Sequence, residues 1–178
     1  MKTTRLTFRR LLRGNNRGQA IVEFTLFAMV LVFLFFGLID FSRVIQARLI
    51  LINLSREGSN LASRGTSLTN AVADVINDAS PWNMNSSGRV IASSVLNSNG
   101  TFIITEQVAS GGLSGAAAPS RIGHVGGNAT LPVTSVPLPQ PNQYLYITEV
   151  YWPFTPLTPI GQLLGLTLPP VLYDVAYF

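Results

Sequence analysis

The longest apolar stretch of the chain lies at residues 20–39, where Glu23 is the only charged side chain. A helix of this length spans about 30 Å, which is the thickness of a bilayer's hydrocarbon core. Apolar side chains would point in every direction around such a helix, so no face is left for water. We therefore predict a transmembrane helix at residues 19–40, because a domain this small could hardly surround a buried core helix.

The helix is predicted to continue beyond the membrane. Residues 41–63 contain no proline and mix apolar with polar positions, which is typical of an amphipathic helix with a broad apolar face. Gly58 is expected to weaken this part, and Gly65 is the expected C-cap. One helix over about residues 19–64 would be roughly 70 Å long, with its lower half in lipid and its upper half against a small domain.

Shorter elements follow the long helix. Residues 68–79 predict a second helix that ends at Ser80-Pro81, and Asn97-Ser98-Asn99-Gly100 is a strong hairpin signal between two strands. This order of elements predicts an α+β fold, in which the upper half of the long helix packs on a small antiparallel sheet. The predicted strands cover residues 89–96, 101–108, 144–152 and 171–178.

Two segments have no regular pattern. Residues 110–143 are rich in Gly, Ala, Ser and Pro and contain no acid, so we predict a long loop that is poorly suited to burying a core. Residues 153–170 hold five prolines around the apolar stretch 160–166. We interpret them as an irregular segment with one helical turn, packed on the domain or facing a partner.

Charge is distributed unevenly. The first 18 residues hold six cations and no acid, whereas the other 160 hold six arginines and eight acids. The basic pI therefore does not indicate nucleic-acid binding, and a polybasic stretch beside an apolar run sets membrane topology instead. We expect a cytoplasmic N-terminus, a single pass through the inner (cytoplasmic) membrane, and residues 41–178 as an extracytoplasmic domain.

The polar residues do not predict an enzyme. No paired carboxylates, nucleophile–histidine arrangement or phosphate-binding loop is visible, and the chain has no cysteine. His124 stands alone in the glycine-rich loop, with no second histidine and no nearby acid. We expect no catalytic residue, no cofactor and no metal site.

Two sets of residues leave alternatives open. Asp40 and Arg43 are three residues apart and could pair on one helix face, or they could form a polar collar at the outer membrane interface. Aromatic residues in and after the third predicted strand could form a sugar platform, or they could pack into the core at alternating positions. These aromatic residues are Tyr144, Tyr146, Tyr151, Trp152 and Phe154.

The most informative residues are Gly18, Gln19, Glu23 and Phe24, at the start of the apolar run. A secretory signal is cut after its apolar segment, whereas here a basic leader and a glycine precede it. This order resembles the processing site of type IV prepilins and pseudopilins. The resemblance implies that prepilin peptidase cuts between Gly18 and Gln19, which removes residues 1–18 and leaves the helix as anchor and assembly element.

Glu23 requires an explanation, because a carboxylate at the centre of a span costs about 2.5 kcal/mol or more and usually marks function. Cleavage after Gly18 would create an α-amine on Gln19, one helical turn away. In pilins such a glutamate is thought to meet the N-terminal amine of a neighbouring subunit. The resemblance therefore implies an assembly role for Glu23 and the adjacent Phe24. The alternative is that Glu23 snorkels to the membrane interface.

A narrower resemblance covers residues 17–65. The segments 17–24, 37–43 and 53–58 look like the N-terminal pattern of TadE-like proteins, which are minor pilins or pseudopilins of tight-adherence pilus systems. Residues 150–159 are similar to the closing strand and proline-rich turn of that family.

This resemblance implies a pilin-like fold and a minor pilin or pilus-associated structural subunit. Its partners would be the membrane, other pilin subunits and the pilus assembly machinery, and it would be incorporated in an extracellular pilus. The alternative is a single-pass membrane-anchored adhesin or scaffold, that is, a binding module. The two functions differ in whether the leader is removed and whether the helix leaves the bilayer.

Overall fold

The structure, a computed structural model, describes residues 16–132, 138–158 and 169–178. The predicted α+β fold is confirmed: a long helix packs on a four-stranded antiparallel sheet. Most of the predicted leader (residues 1–15) and the apolar stretch 160–166 lie outside the described residues. The helices are α1 (Asn16–Ser63), α2 (Leu68–Asp78) and α3 (Met84–Ser87), and the strands are β1 (Arg89–Ser98), β2 (Thr101–Ser110), β3 (Tyr144–Pro153) and β4 (Val171–Tyr177).

Helix α1 has 48 residues and ends where the sequence indicates. Gly65 adopts φ +93°, a left-handed conformation that terminates helices. Its amide donates to the Ala62 carbonyl at 3.1 Å, and the Thr66 amide donates to the Leu61 carbonyl at 3.2 Å. Helix α2 then begins at once, because the Ser67 side chain caps it by accepting from the Asn70 amide.

The sheet has the order β2-β1-β3-β4, with every neighbouring pair antiparallel. Strands β1 and β2 form the predicted hairpin, but its turn is tighter than expected. Asn99 and Gly100 have φ values of +52° and +94°, the two positive values that a two-residue hairpin turn requires. The first strand therefore extends to Ser98 instead of Leu96, whereas β2 begins at Thr101 as predicted and ends at Ser110 instead of Val108.

One face of the sheet packs on α1 and α2. The core between them includes Leu51 and Leu54 of α1, Val75 of α2 and Val150 of β3. Gly58 does not interrupt α1. A Cβ atom at this position would lie 2.8 Å from side-chain atoms of Thr148, so the glycine allows the helix to approach the sheet closely.

The other face of the sheet is covered by residues 111–132, which follow β2. Within this segment Ala118 and Ile122 are almost completely buried, and Ile122 packs with Ile104 and Ile147 of the sheet. The prediction that residues 110–143 are poorly suited to burying a core is therefore wrong for this part. A sheet with helices on one face still has a second apolar face, and a loop without regular structure can cover it if polar contacts fix the loop in place.

Candidate functional site on the N-terminal helix

The first half of α1 has no cover from the rest of the described chain. No residue from 18 to 39 is buried, and Phe24 and Phe27 are 70% and 65% exposed. The helix is long and apolar enough to cross a membrane, with a mean hydropathy of 2.5 in its most apolar 18-residue window. This surface requires contact with lipid or with another protein.

The predicted processing and assembly residues lie together on the first two turns of this exposed half. A side chain at Gly18 would meet no other atom within 4 Å. The Gln19 side-chain amide donates to Glu23 Oε1 at 3.0 Å, one helical turn away. The structure thus brings Gly18, Gln19, Glu23 and Phe24 onto one short stretch of accessible helix.

The contact of Glu23 with Gln19 leaves most of the carboxylate available. An ionised carboxylate has about four lone-pair positions for hydrogen bonds, and Gln19 occupies one of them. A second donor from another molecule can therefore be added without displacing the first. Within the chain, the amide of Gln19 reduces the cost of placing this carboxylate near lipid.

Asp40, at the opposite end of the apolar run, contacts a distant turn that neither sequence-based alternative included. It is 5% exposed, and it accepts hydrogen bonds from the amide of Leu157 at 2.8 Å, the amide of Thr158 at 3.2 Å and the Thr158 hydroxyl. The collar prediction is wrong for Asp40, because its carboxylate fixes the proline-rich turn that follows β3. Nothing in the local sequence pattern identifies a partner 117 residues away.

Arg43 extends the same contact. Its Nη1 lies 3.9 Å from Asp40 Oδ1, so the predicted pairing is present as a long ion pair. The same nitrogen donates to the Thr155 carbonyl at 3.4 Å, and the guanidinium carbon lies 5.6 Å from the centre of the Phe154 ring. Asp40 and Arg43 together hold the turn at residues 154–158 against the helix.

Beyond Asp40, α1 carries a second apolar surface that faces away from the sheet. Phe41, Ile45 and Leu49 are 63%, 45% and 56% exposed, and their spacing of four places them on one face of the helix. We call these three residues the outer stripe. The upper half of α1 thus has two apolar faces, one covered by the sheet and one open.

Glu149, in the middle of β3, is the residue that sequence analysis missed. It is fully buried and accepts hydrogen bonds from the Ser120 hydroxyl at 2.5 Å, the Arg121 amide at 2.8 Å and the Tyr173 hydroxyl at 3.0 Å. Two of these donors belong to the loop that covers the sheet. An acid within a strand pattern gives no signal of such partners, so only the fold identifies Glu149 as the residue that fixes this loop.

The tyrosines around Glu149 serve the same structural purpose. Burial, reinforced by the negative charge of Glu149, raises the pKa of Tyr151 and of Tyr173, so both phenols stay neutral and donate. The Tyr151 hydroxyl donates to the Pro119 carbonyl at 2.5 Å, and the Arg121 guanidinium carbon lies 3.9 Å from the centre of the Tyr173 ring. This cluster explains how a glycine-rich loop is held on the sheet.

The remaining predicted residues divide between core and surface. Tyr151 and Phe154 are buried, Trp152 stacks on Trp82 with ring centroids 4.5 Å apart, and Tyr144 is 51% exposed. Core packing is thus confirmed for Tyr151 and Phe154. His124 is exposed in the loop, and the described part of the chain contains no group of three His, Cys, Asp or Glu side chains that could hold a metal ion.

Comparison with known proteins gives a family match within helix α1. Residues 18–60 match the sequence model of the TadE-like protein family. Over this segment the chain is similar to TadE-like proteins. The match begins at Gly18, includes Glu23 and Asp40, and ends before the sheet, so the similarity is confined to α1. No curated protein and no solved structure matches the chain.

The match and the apolar helix together support a membrane-anchored protein. The family is a structural one and is associated with tight-adherence pili. The similarity predicted for residues 150–159 lies outside the matched segment and stays a prediction.

Proposed function

We propose that this chain is a minor pilin or a pilus-associated structural subunit that joins other pilin subunits through α1. The outer stripe carries this proposal. Leu49 lies about 15 Å beyond Ile39 along the helix, whereas the headgroup layer is only about 5–8 Å thick. Lipid therefore cannot cover the upper end of the stripe, and a helix that served only as an anchor would have no reason to keep it apolar.

A packed bundle of subunit helices would cover both the span and the outer stripe. In that arrangement the lipid-facing half of α1 exchanges lipid for protein, and Phe41, Ile45 and Leu49 continue the same contact surface. Glu23 would register an incoming subunit by accepting from its Gln19 amine. The partners of the chain are then other pilin subunits and the pilus assembly machinery, in an extracellular pilus.

The outer stripe gives a direct test of assembly. Leu49→Gln places a polar side chain on the stripe without disturbing the covered face of α1, so the variant should fold and insert but should be depleted from pili sheared off the cells. Val125→Gln is the matched control, since Val125 is 52% exposed in the loop. Equal incorporation of both variants would contradict assembly through this face.

Processing by prepilin peptidase between Gly18 and Gln19 is part of the same proposal. It is supported by the position of Gly18 in the matched segment and by the open space around it. The intact mass of the membrane-extracted protein should correspond to a chain that begins at Gln19. Gly18→Leu should block cleavage, whereas Gly37→Leu, at another glycine of α1 with no atom within 4 Å of its Cβ position, should not. A mature chain that retains residues 1–18 would rule out this step.

The proposed orientation has the N-terminus in the cytoplasm and residues 41–178 outside the inner membrane. It is supported by the six cations of the first 18 residues, since positive residues are retained on the cytoplasmic side. A reporter that works only outside the cytoplasm should be active when fused after Phe178. Activity of a cytoplasmic reporter at the same position would reverse the orientation.

A second candidate function, a membrane-anchored binding module, is favoured by one cleft. The cleft has a volume of about 430 Å³ and lies between the α1–α2 turn and the sheet. Glu106, Tyr144 and Tyr146 line it, with the two rings 6.4 Å apart. If the module function holds, Tyr144→Ala should reduce surface attachment of cells while the protein keeps its leader and stays in the membrane fraction.

A further inference from the structure

We propose that the base of the outer domain, defined as Arg43 and residues 154–158, rests on the membrane surface. Leu157 lies in the headgroup layer, and the Arg43 guanidinium binds lipid phosphate. This inference concerns the anchored protein and does not depend on its assembly into a pilus.

The position of the base relative to the membrane follows from its attachment to α1. The apolar run ends at Ile39, and the next residue, Asp40, accepts from the backbone amides of Leu157 and Thr158 at 2.8 and 3.2 Å. These two residues are therefore held within hydrogen-bond distance of the outer end of the span. The headgroup layer covers roughly the next 5–8 Å, so the turn lies at the level of that layer.

Leu157 has no cover at this level within the described chain. Its side chain is 70% exposed, whereas Phe154 and Thr158 in the same turn are buried at 7% and 6% exposure. The turn is thus packed on its inner side and presents one leucine outwards. Because the neighbouring surface of α1 is already lipid-facing, the membrane that surrounds α1 continues directly onto this side chain.

Arg43 is placed to bind an anion at the same level. It lies about 6 Å beyond Ile39 along α1, and its side chain is 41% exposed. Asp40 already has three donors from the turn and lies 3.9 Å from the guanidinium, so it does not saturate the five donors of the arginine. The groove beside Arg43 contains no acid among its lining residues. A lipid phosphate is the anion available there.

A depth measurement with single cysteines tests this placement, because the natural chain has no cysteine. Phe36, Leu157 and Leu49 are each replaced by cysteine in the full chain and labelled with an environment-sensitive fluorophore in phosphatidylcholine vesicles. Phe36 marks the hydrocarbon layer, and Leu49 marks a level beyond the headgroups. The emission of the label at 157 should be blue-shifted by its less polar surroundings. Spin-labelled lipids with the quencher near the headgroup should quench this label, while the label at 49 stays unquenched.

Three further variants assign the contact to the base. Asp40→Asn should weaken the hold on the turn and reduce quenching at 157 without changing quenching at 36. Arg43→Gln should remove any increase in quenching at 157 when phosphatidylglycerol replaces part of the phosphatidylcholine, and Arg43→Lys should retain it. A label at 157 that remains unquenched would overturn the proposal. A blue shift at 157 that appears only at a high protein-to-lipid ratio would also overturn it, since a second copy of the chain would then cover the base.

Discussion

Helix α1 carries a carboxylate near each end of its apolar run, and the two differ in what they contact. Glu23 is exposed and hydrogen-bonds only to Gln19 among the described residues. Asp40 is 5% exposed and accepts from three donors of a turn near the end of the chain. The hydropathy pattern shows that both acids lie near the ends of the membrane-spanning run. Only the tertiary fold shows that the chain itself supplies hydrogen-bond donors to Asp40.

Under the proposed function, Asp40 stabilises the fold of the chain, whereas Glu23 would contact other subunits. Loss of Asp40 should lower the free energy of unfolding of the outer domain, whereas loss of Glu23 should leave it unchanged and affect only association with other subunits. The chain provides further acids, one more deeply buried than Asp40 and others exposed. Substitutions at these acids test whether burial within the chain decides their effect on stability.

Glu149 is fully buried, and its carboxylate accepts hydrogen bonds from three donors of its own chain. Glu149→Ala should lower the free energy of unfolding by roughly 3–5 kcal/mol, because several buried donors are left without an acceptor and each costs about 1–3 kcal/mol. Chemical denaturation in detergent should show the loss, and proteolysis should cut within residues 111–132. Glu106→Ala, at an exposed acid of the sheet, should change stability by less than about 0.5 kcal/mol. Equal effects of the two variants would mean that Glu149 does not fix the loop.

Asp40 comes next in the size of the expected effect. Asp40→Ala should lower the free energy of unfolding by roughly 2–3 kcal/mol, since hydrogen bonds to a charged acceptor are lost and the Thr158 donors are left buried. Thr158→Val removes only the hydroxyl and should cost about 1 kcal/mol. The double variant should cost less than the sum, because the two residues share the contact. Additive effects would show that the turn is held by something else.

Glu57 is an exposed acid whose surroundings oppose its charge. Partial burial, followed by the neighbouring Asp78 and Asp74, raises its pKa above the reference value of 4.5. The folded chain therefore binds this proton more tightly than the unfolded chain. Its contribution to stability is complete below about pH 4.5 and is lost as the pH rises through the raised folded pKa.

Glu57→Gln removes this titration and should make the domain slightly more stable than the natural chain at pH 7. The advantage should shrink as the pH falls toward 4.5, which a series of thermal unfolding curves can follow. Glu106→Gln serves as a control for loss of an exposed acid. An advantage of Glu57→Gln that grows at low pH would contradict the assigned direction of the pKa shift.

Much of the fold could be predicted from local signals. The unbroken apolar run and the lack of proline predict α1, Gly65 marks its end, and Asn99-Gly100 marks the hairpin. Each of these signals acts within a few residues, because it depends on backbone conformation or on side-chain periodicity. The short helix α3 was missed, since Asn83 caps only four residues, too few for a periodic pattern.

The contacts that hold the domain together could not be predicted in this way. Asp40 meets Thr158, and Glu149 meets Ser120, only after the strands have paired in the order β2-β1-β3-β4. A buried acid and a solvated acid have the same appearance in a sequence. For Glu23 the local sequence is informative, because Glu23 follows Gly18 and Gln19 as in the processing sites of type IV prepilins. The assembly role proposed for Glu23 therefore comes from a family resemblance.

The most direct test of the central claim is the fraction of Glu23→Gln protein that is recovered in sheared pili, relative to the fraction retained in membranes. The variant should insert normally, because a neutral amide is less costly in lipid than a carboxylate, and its outer domain should unfold like that of the natural chain. Its pilus fraction should fall, because the amine of a neighbouring subunit would lose its counter-ion in a low-dielectric setting. Thr25→Val is the matched control, since the Thr25 hydroxyl donates to the Ile21 carbonyl of its own helix, and it should assemble normally. Unimpaired recovery of Glu23→Gln in pili would contradict the assembly role and leave Glu23 as a residue of the membrane interface.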